Sequence, residues 1–156
     1  MDENVVFTSR DREYLRAVFL LGRGEEPVGP SQLGDLIKVS KVAALEKMRR
    51  LEAMGFGEYI HRKGLLLNKD GVSVVQRDIK RHHVVEKFLE DNLGMDSTEA
   101  CRESSAMDPY VSDKFLENAV TALGEKASCD CGCCIEDYYE PKILYECHWF
   151  KKQFKV

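Results

Sequence analysis

What this 156-residue sequence lacks narrows its possible roles. No apolar run approaches the roughly 20 residues of a membrane span, so no membrane partner is expected. The opening Met1–Asn4 is acidic and lacks the basic head of a signal peptide, so a cytoplasmic location is expected. No nucleophile, base and oxyanion-donor arrangement can be assembled from its motifs, and we do not expect an enzyme. Cysteine is absent from the first 100 residues, yet five of the six cysteines fall in the last 28. Without export a disulfide framework is disfavoured, which leaves metal or redox chemistry. Neither a pair of Cys-x-x-Cys knuckles nor a ferredoxin-type run is present, so the kind of metal chemistry stays open.

Net basic charge is also missing: the chain carries −4. That total hides a division. Residues 38–63 hold seven Lys and Arg against three Glu, +4, so the remainder carries −8. A partner with a phosphate backbone would meet one face and be repelled elsewhere.

That basic stretch lies in the segment around which the chain is organised. Ser31 to Ile37 and Ser40 to Met54 read as two helices joined by a very short turn, and Gly55 to Leu67 as a hairpin. This is the order of a winged helix-turn-helix, whose second helix can lie in a DNA major groove. Ser31 and Ser40 are the expected N-caps. In the second helix Val42, Leu45, Met48 and Leu51 are expected to face inward. Ser40, Lys41, Ala43, Ala44 and Lys47 are expected toward the groove, with Arg49, Arg50, Arg62 and Lys63 on phosphates. His61, Arg62 and Lys63 form the wing tip, where phosphate or minor-groove contact is natural. Ahead of this lies a helix over Asp11 to Leu21.

Beyond the wing, a long helix over about Val72 to Leu93 carries the stripe Val75, Ile79, His82, Glu86, Leu89, Leu93. His82 and Glu86 share one face at i and i+4. Burying an imidazole and a carboxylate together is costly unless a cation or a mutual hydrogen bond satisfies them. A helix from Asp96 or Ser97 follows, stopped by Pro109. Cys101, Ser105 and Asp108 recur on one of its faces. Ser112 caps a last helix that ends at Gly124. In the tail, Cys129, Cys131, Cys133 and Cys134 put four thiols into six residues, and Cys147 and His148 follow. Thiolates so close repel one another unless a soft cation shares their charge, as zinc or an iron–sulfur cluster does.

Over residues 8–124 the chain resembles the diphtheria toxin repressor family of iron- and manganese-dependent regulators. The resemblance rests on Arg12–Phe19, Arg49–Gly55, the wing, Arg81–Leu89 and Leu93–Asp96. It implies a homodimeric repressor that binds double-stranded DNA at a palindromic operator when metal is bound. It also implies Fe(II) or Mn(II) ligands at His82, Glu86 and Cys101, with Glu13 and Asp108 at further ligand positions. Ser105 and Pro109 depart from the family pattern, each replacing a strong ligand. Lys41–Ala44 departs as well, in place of small polar and proline residues.

The expected architecture is therefore mainly α. It comprises a winged helix-turn-helix over 1–71, a helical dimerisation and metal-binding domain over 72–124, and a small Cys-rich C-terminal segment over 125–156 that holds an iron–sulfur cluster or zinc. The alternative is a small metal- or electron-handling protein that uses a winged scaffold for protein contacts.

Overall fold

The computed structural model describes residues 6–124 and 148–155. They fall into two compact units, one of residues 6–75 with 153–155, the other of residues 76–124 with 148–152.

In the first unit, α1 (Ser9–Gly22) starts at a capping box. The Thr8 hydroxyl accepts from the Asp11 N–H at 3.1 Å, and the Asp11 carboxylate accepts from the Thr8 N–H at 2.9 Å. Both bonds satisfy donors that a helix start otherwise leaves open. Helix α2 (Pro30–Ile37) is capped by Gly29, not by the expected Ser31. Pro30 supplies the fixed φ of a first helical residue, so the helix begins earlier and Ser31 lies exposed inside it. Helix α3 (Lys41–Ala53) is capped by Ser40 as expected, its hydroxyl accepting from the Ala43 N–H at 3.1 Å.

The register of α3 differs from the sequence expectation at two residues. Ala44, Met48 and Leu51 are fully buried, whereas Val42 is 66% exposed. Steps of four and three place the buried three on one stripe, and Val42 falls on the opposite side. A small residue at 44 lets α3 approach the core of Leu15, Phe19, Leu33 and Leu65, all fully buried.

Strands β1 (Gly57–Ile60) and β2 (Gly64–Leu67) pair antiparallel, with Gly57 opposite Leu67 and Ile60 opposite Gly64. Arg62 takes the left-handed conformation at the turn. The loop before α2 also joins the wing: Val28 and Leu65 exchange backbone bonds of 2.9 and 3.0 Å. Gly64 permits this, because a Cβ there would lie 1.9 Å from the Val28 carbonyl oxygen and its φ is +118°.

Helix α4 (Lys69–Leu93) continues into the second unit. There α5 (Ser97–Met107) is capped by Asp96, a single 3₁₀ turn covers Asp108–Tyr110, and α6 (Asp113–Leu123) is capped by Ser112. Val85, Leu89 and Ala100 form a core against Phe88, Met95, Val111 and Phe115, and Val84 and Ala119 form a second one beside it. Phe88 and Phe115 meet edge to face at 5.4 Å. Leu93, expected on the apolar stripe, is 60% exposed because the helix runs past its packing partners. A short helix α7 (His148–Gln153) lies near the C-terminus. No described helix is long and apolar enough to cross a membrane.

Candidate metal centre and nucleic-acid face

His82 lies in the middle of α4 and is fully buried. One turn later Glu86 brings a carboxylate oxygen to 3.2 Å from His82 Nε2. From α5, the sulfur of Cys101 lies 3.6 Å from the same nitrogen. The three donor atoms fall within 4.8 Å of one another. The other ring nitrogen, Nδ1, is 2.8 Å from Asp108, at the start of the 3₁₀ turn. Asp108 keeps helical backbone at the end of α5, which places it seven residues after Cys101 on the same face, toward α4.

This arrangement fits a divalent transition ion. Around one tetrahedral ion a nitrogen and a sulfur ligand stand about 3.5 Å apart, and a nitrogen and an oxygen about 3.4 Å, given the usual bond lengths. An imidazole whose second nitrogen is held by a carboxylate is the usual supporting arrangement for a metal-bound histidine, fixing both its rotation and its tautomer. Burial pushes the His82 imidazole down, but the Asp108 and Glu86 carboxylates outweigh it and hold its pKa above the ordinary value. The Asp108 carboxyl is itself raised, since burial outweighs the pull of His82. An ion would therefore compete with a proton for the imidazole.

The other expected ligands lie differently. Asp108 meets His82 at Nδ1, away from the Nε2 that faces Glu86 and Cys101, and so supports the ring from behind. Ser105 is exposed and donates to the Cys101 carbonyl at 2.8 Å, an ordinary back-bond within α5. Glu13, in the first unit, is ion-paired with Arg10 on α1. Cys129, Cys131, Cys133, Cys134 and Cys147 lie outside the described residues. His148 opens α7, and its side chain is likewise outside the description.

In the winged unit the basic residues divide into two groups. Lys47 and Arg50 reach back to Asp11, with Lys47 Nζ at 3.1 Å and Arg50 Nε at 3.0 Å from one carboxylate oxygen. Arg50 also donates to the Val6 carbonyl at 2.7 Å. Asp11 is fully buried. Burial pushes its carboxyl up, but the bonds from Arg50, Thr8 and Lys47 outweigh this and hold it well below the usual carboxylate range. Lys47 and Arg50 thus tie α3 to α1. The buried Ala44, expected at the groove, is part of the core. Arg49 pairs with Glu52 at 3.0 Å and lies 3.9 Å over the Tyr59 ring, while Glu52 also accepts from the Tyr59 N–H at 2.8 Å. That set fixes the wing to the end of α3. Lys41, Arg62 and Lys63 are exposed. Sequence reasoning missed Asp11, although Thr8 and Asp11 at capping-box spacing marked it as the acid of the helix start.

Two family models account for most of the chain. The iron-dependent repressor N-terminal DNA-binding domain matches residues 6–65, and the iron-dependent repressor metal-binding and dimerisation domain matches residues 68–137. An uncharacterised HTH-type transcriptional regulator of Methanocaldococcus jannaschii is 24% identical over 106 residues, 67% of this chain and 85% of that protein. The transcriptional regulator MntR of Escherichia coli O6:H1 is 33% identical over 79 residues, 51% of this chain and 50% of that one, so the chain spans half its length. Among solved structures, ScaR with bound Zn2+ superposes with a TM-score of 0.71 at 27% identity, covering 81% of this chain and 59% of ScaR.

Proposed function

Because the chain belongs to the iron-dependent repressor family of DNA-binding transcriptional regulators, we propose that it is a homodimeric repressor whose hold on a palindromic operator is set by a divalent metal at His82, Glu86 and Cys101. The observation that carries this reading is the convergence of those three donors on one spot, with Asp108 holding the imidazole from behind. A bound cation supplies the positive charge that lets a carboxylate and a thiolate share one site. The protein's part is to bring Cys101 on α5 against His82 and Glu86 on α4, so that occupancy favours one arrangement of the two helices. A coupling of about 1–3 kcal/mol between metal and operator changes DNA affinity about 5- to 150-fold. A thiolate beside an imidazole favours Fe(II) or Zn(II) over Mn(II).

Residues 129–148 supply a second response in this reading. Crowding of Cys129, Cys131, Cys133 and Cys134, with Cys147 and His148 close in sequence, favours an iron–sulfur cluster, with zinc as the alternative occupant. Iron, zinc and acid-labile sulfide content of anaerobically purified protein distinguishes the two. Changing Cys131 and Cys134 to Ser abolishes the sulfide if the reading is right.

Operator binding followed by fluorescence anisotropy, titrated with Fe(II), Zn(II) and Mn(II) at several salt concentrations, tests the main reading. Affinity is expected to fall steeply with salt and to rise on metal addition. The His82→Ala protein keeps the salt dependence but loses the metal response. Equal DNA affinity with and without every metal in the wild-type protein would overturn it.

A further inference from the structure

The outward face of α3 has fewer available cations than its sequence suggests. Lys47 and Arg50 are held by Asp11, and Arg49 is held by Glu52 and Tyr59. Ala44, Met48 and Leu51 point into the core. Lys41, Val42 and Glu46 are exposed, and among the described residues no ion pair or side-chain hydrogen bond engages them. Lys41 and Val42 are the first two residues of the helix, the end of a recognition helix that approaches base edges. Val42 and Glu46 stand at i and i+4 and so share one face.

Neither residue suits the phosphate backbone. Val42 is a 66%-exposed aliphatic side chain next to Lys41, and the apolar group that the major groove offers is the thymine C5-methyl. Glu46 is repelled by phosphates and has only acceptor oxygens. The base-edge donor that a carboxylate matches is the cytosine N4 amino group. Four residues of α-helix rise about 6 Å, close to two base-pair steps of roughly 3.4 Å.

From this, and resting on the DNA-binding reading above, we infer that Val42 and Glu46 are the specificity-determining pair of α3. Val42 reads a thymine methyl and Glu46 accepts from a cytosine amino group about two base steps away in each half-site. Lys41 beside them supplies a phosphate contact that carries no sequence information. Glu46 also discriminates by repulsion, because a site that offers acceptors instead of the amino group leaves the carboxylate facing them.

Selection from a pool of randomised duplexes with the full chain in the presence of Zn(II) tests this. The wild-type protein is expected to enrich a motif with thymine and cytosine about two steps apart. Glu46→Gln moves the cytosine preference toward adenine, which a carboxamide matches, with a change in discrimination of at least about 5-fold. Replacing the selected thymine by uracil removes only the methyl and weakens wild-type binding about 4-fold, while leaving Val42→Ser unaffected. Both positions are exposed, and a circular dichroism spectrum confirms that each variant folds. If both variants select the wild-type motif, or uracil costs nothing, the inference falls while DNA binding stands. If the wild-type protein binds no duplex in a salt-dependent way, the DNA-binding reading falls with it.

Discussion

Replacing Asp11 by Asn should cost the winged unit much of its stability, although Asp11 is not on its exposed face. The carboxylate accepts from the Thr8 backbone and hydroxyl, from Lys47 and twice from Arg50, within 2.8–3.2 Å. Hydrogen bonds to a charged partner are worth about 1.5–3 kcal/mol each when fully shielded. Here the Lys47 and Arg50 side chains stay 25% and 36% exposed. Water can therefore take back both cations, and the sum must be discounted. Asn also keeps part of the cap. We expect Asp11→Asn to lose about 2 kcal/mol in all, or about 10 °C in the melting of a unit of this size. The pH dependence gives the sharper check. Because the folded carboxyl titrates below its unfolded value, its contribution is complete above about pH 4 and drains as pH falls through the folded pKa. Urea unfolding followed by circular dichroism should show a gap between wild type and variant that is constant from pH 7 to about 5 and closes below about 4. A gap that persists unchanged into acid, or no gap at pH 7, would refute this role for Asp11.

Gly64→Ala should break the junction between β2 and Val28, since the added carbon would lie 1.9 Å from a carbonyl oxygen at a positive φ. A loss of at least about 2 kcal/mol is expected, read by urea unfolding, with faster hydrogen exchange in the wing. Asp108→Asn leaves the three donor atoms in place but weakens the hold on the imidazole. Competition with a chromophoric chelator should show metal affinity down about 10- to 100-fold. Cys101→Ser should shift preference from Zn(II) toward Mn(II) in the same assay, because a hydroxyl is a harder donor than a thiolate. An unchanged ratio of the two affinities would exclude the thiolate as a ligand.

The elements of this fold were legible because short-range chemistry specifies them. Ser40 and Ser112 cap the helices they were expected to cap, and of the two candidates Asp96 and Ser97 it is Asp96 that caps α5, each through its own neighbouring amides. The hairpin follows from a turn between two apolar runs. Positions decided by long-range packing were not legible. Val42 and Ala44 exchange their expected places because α1 and the wing, not the local pattern, choose which stripe of α3 is buried, and an alanine fits where the approach is close. The same limit applied to charge. A run of Lys and Arg reads as one basic surface, yet a single buried carboxylate, 36 and 39 residues away in sequence, commits two of them to the fold.

The metal site divides along the same line. His82 and Glu86 were readable as a pair because helix geometry fixes i and i+4. The role of Asp108 was not readable, because spacing along α5 placed it with Cys101 and Ser105 as a ligand. It does stay on the Cys101 face, seven residues later with helical backbone, but its carboxylate meets His82 at Nδ1 while Cys101 meets Nε2. Which ring nitrogen each donor meets depends on how α5 packs on α4 around Val85, Leu89 and Ala100, which spacing along one helix does not carry.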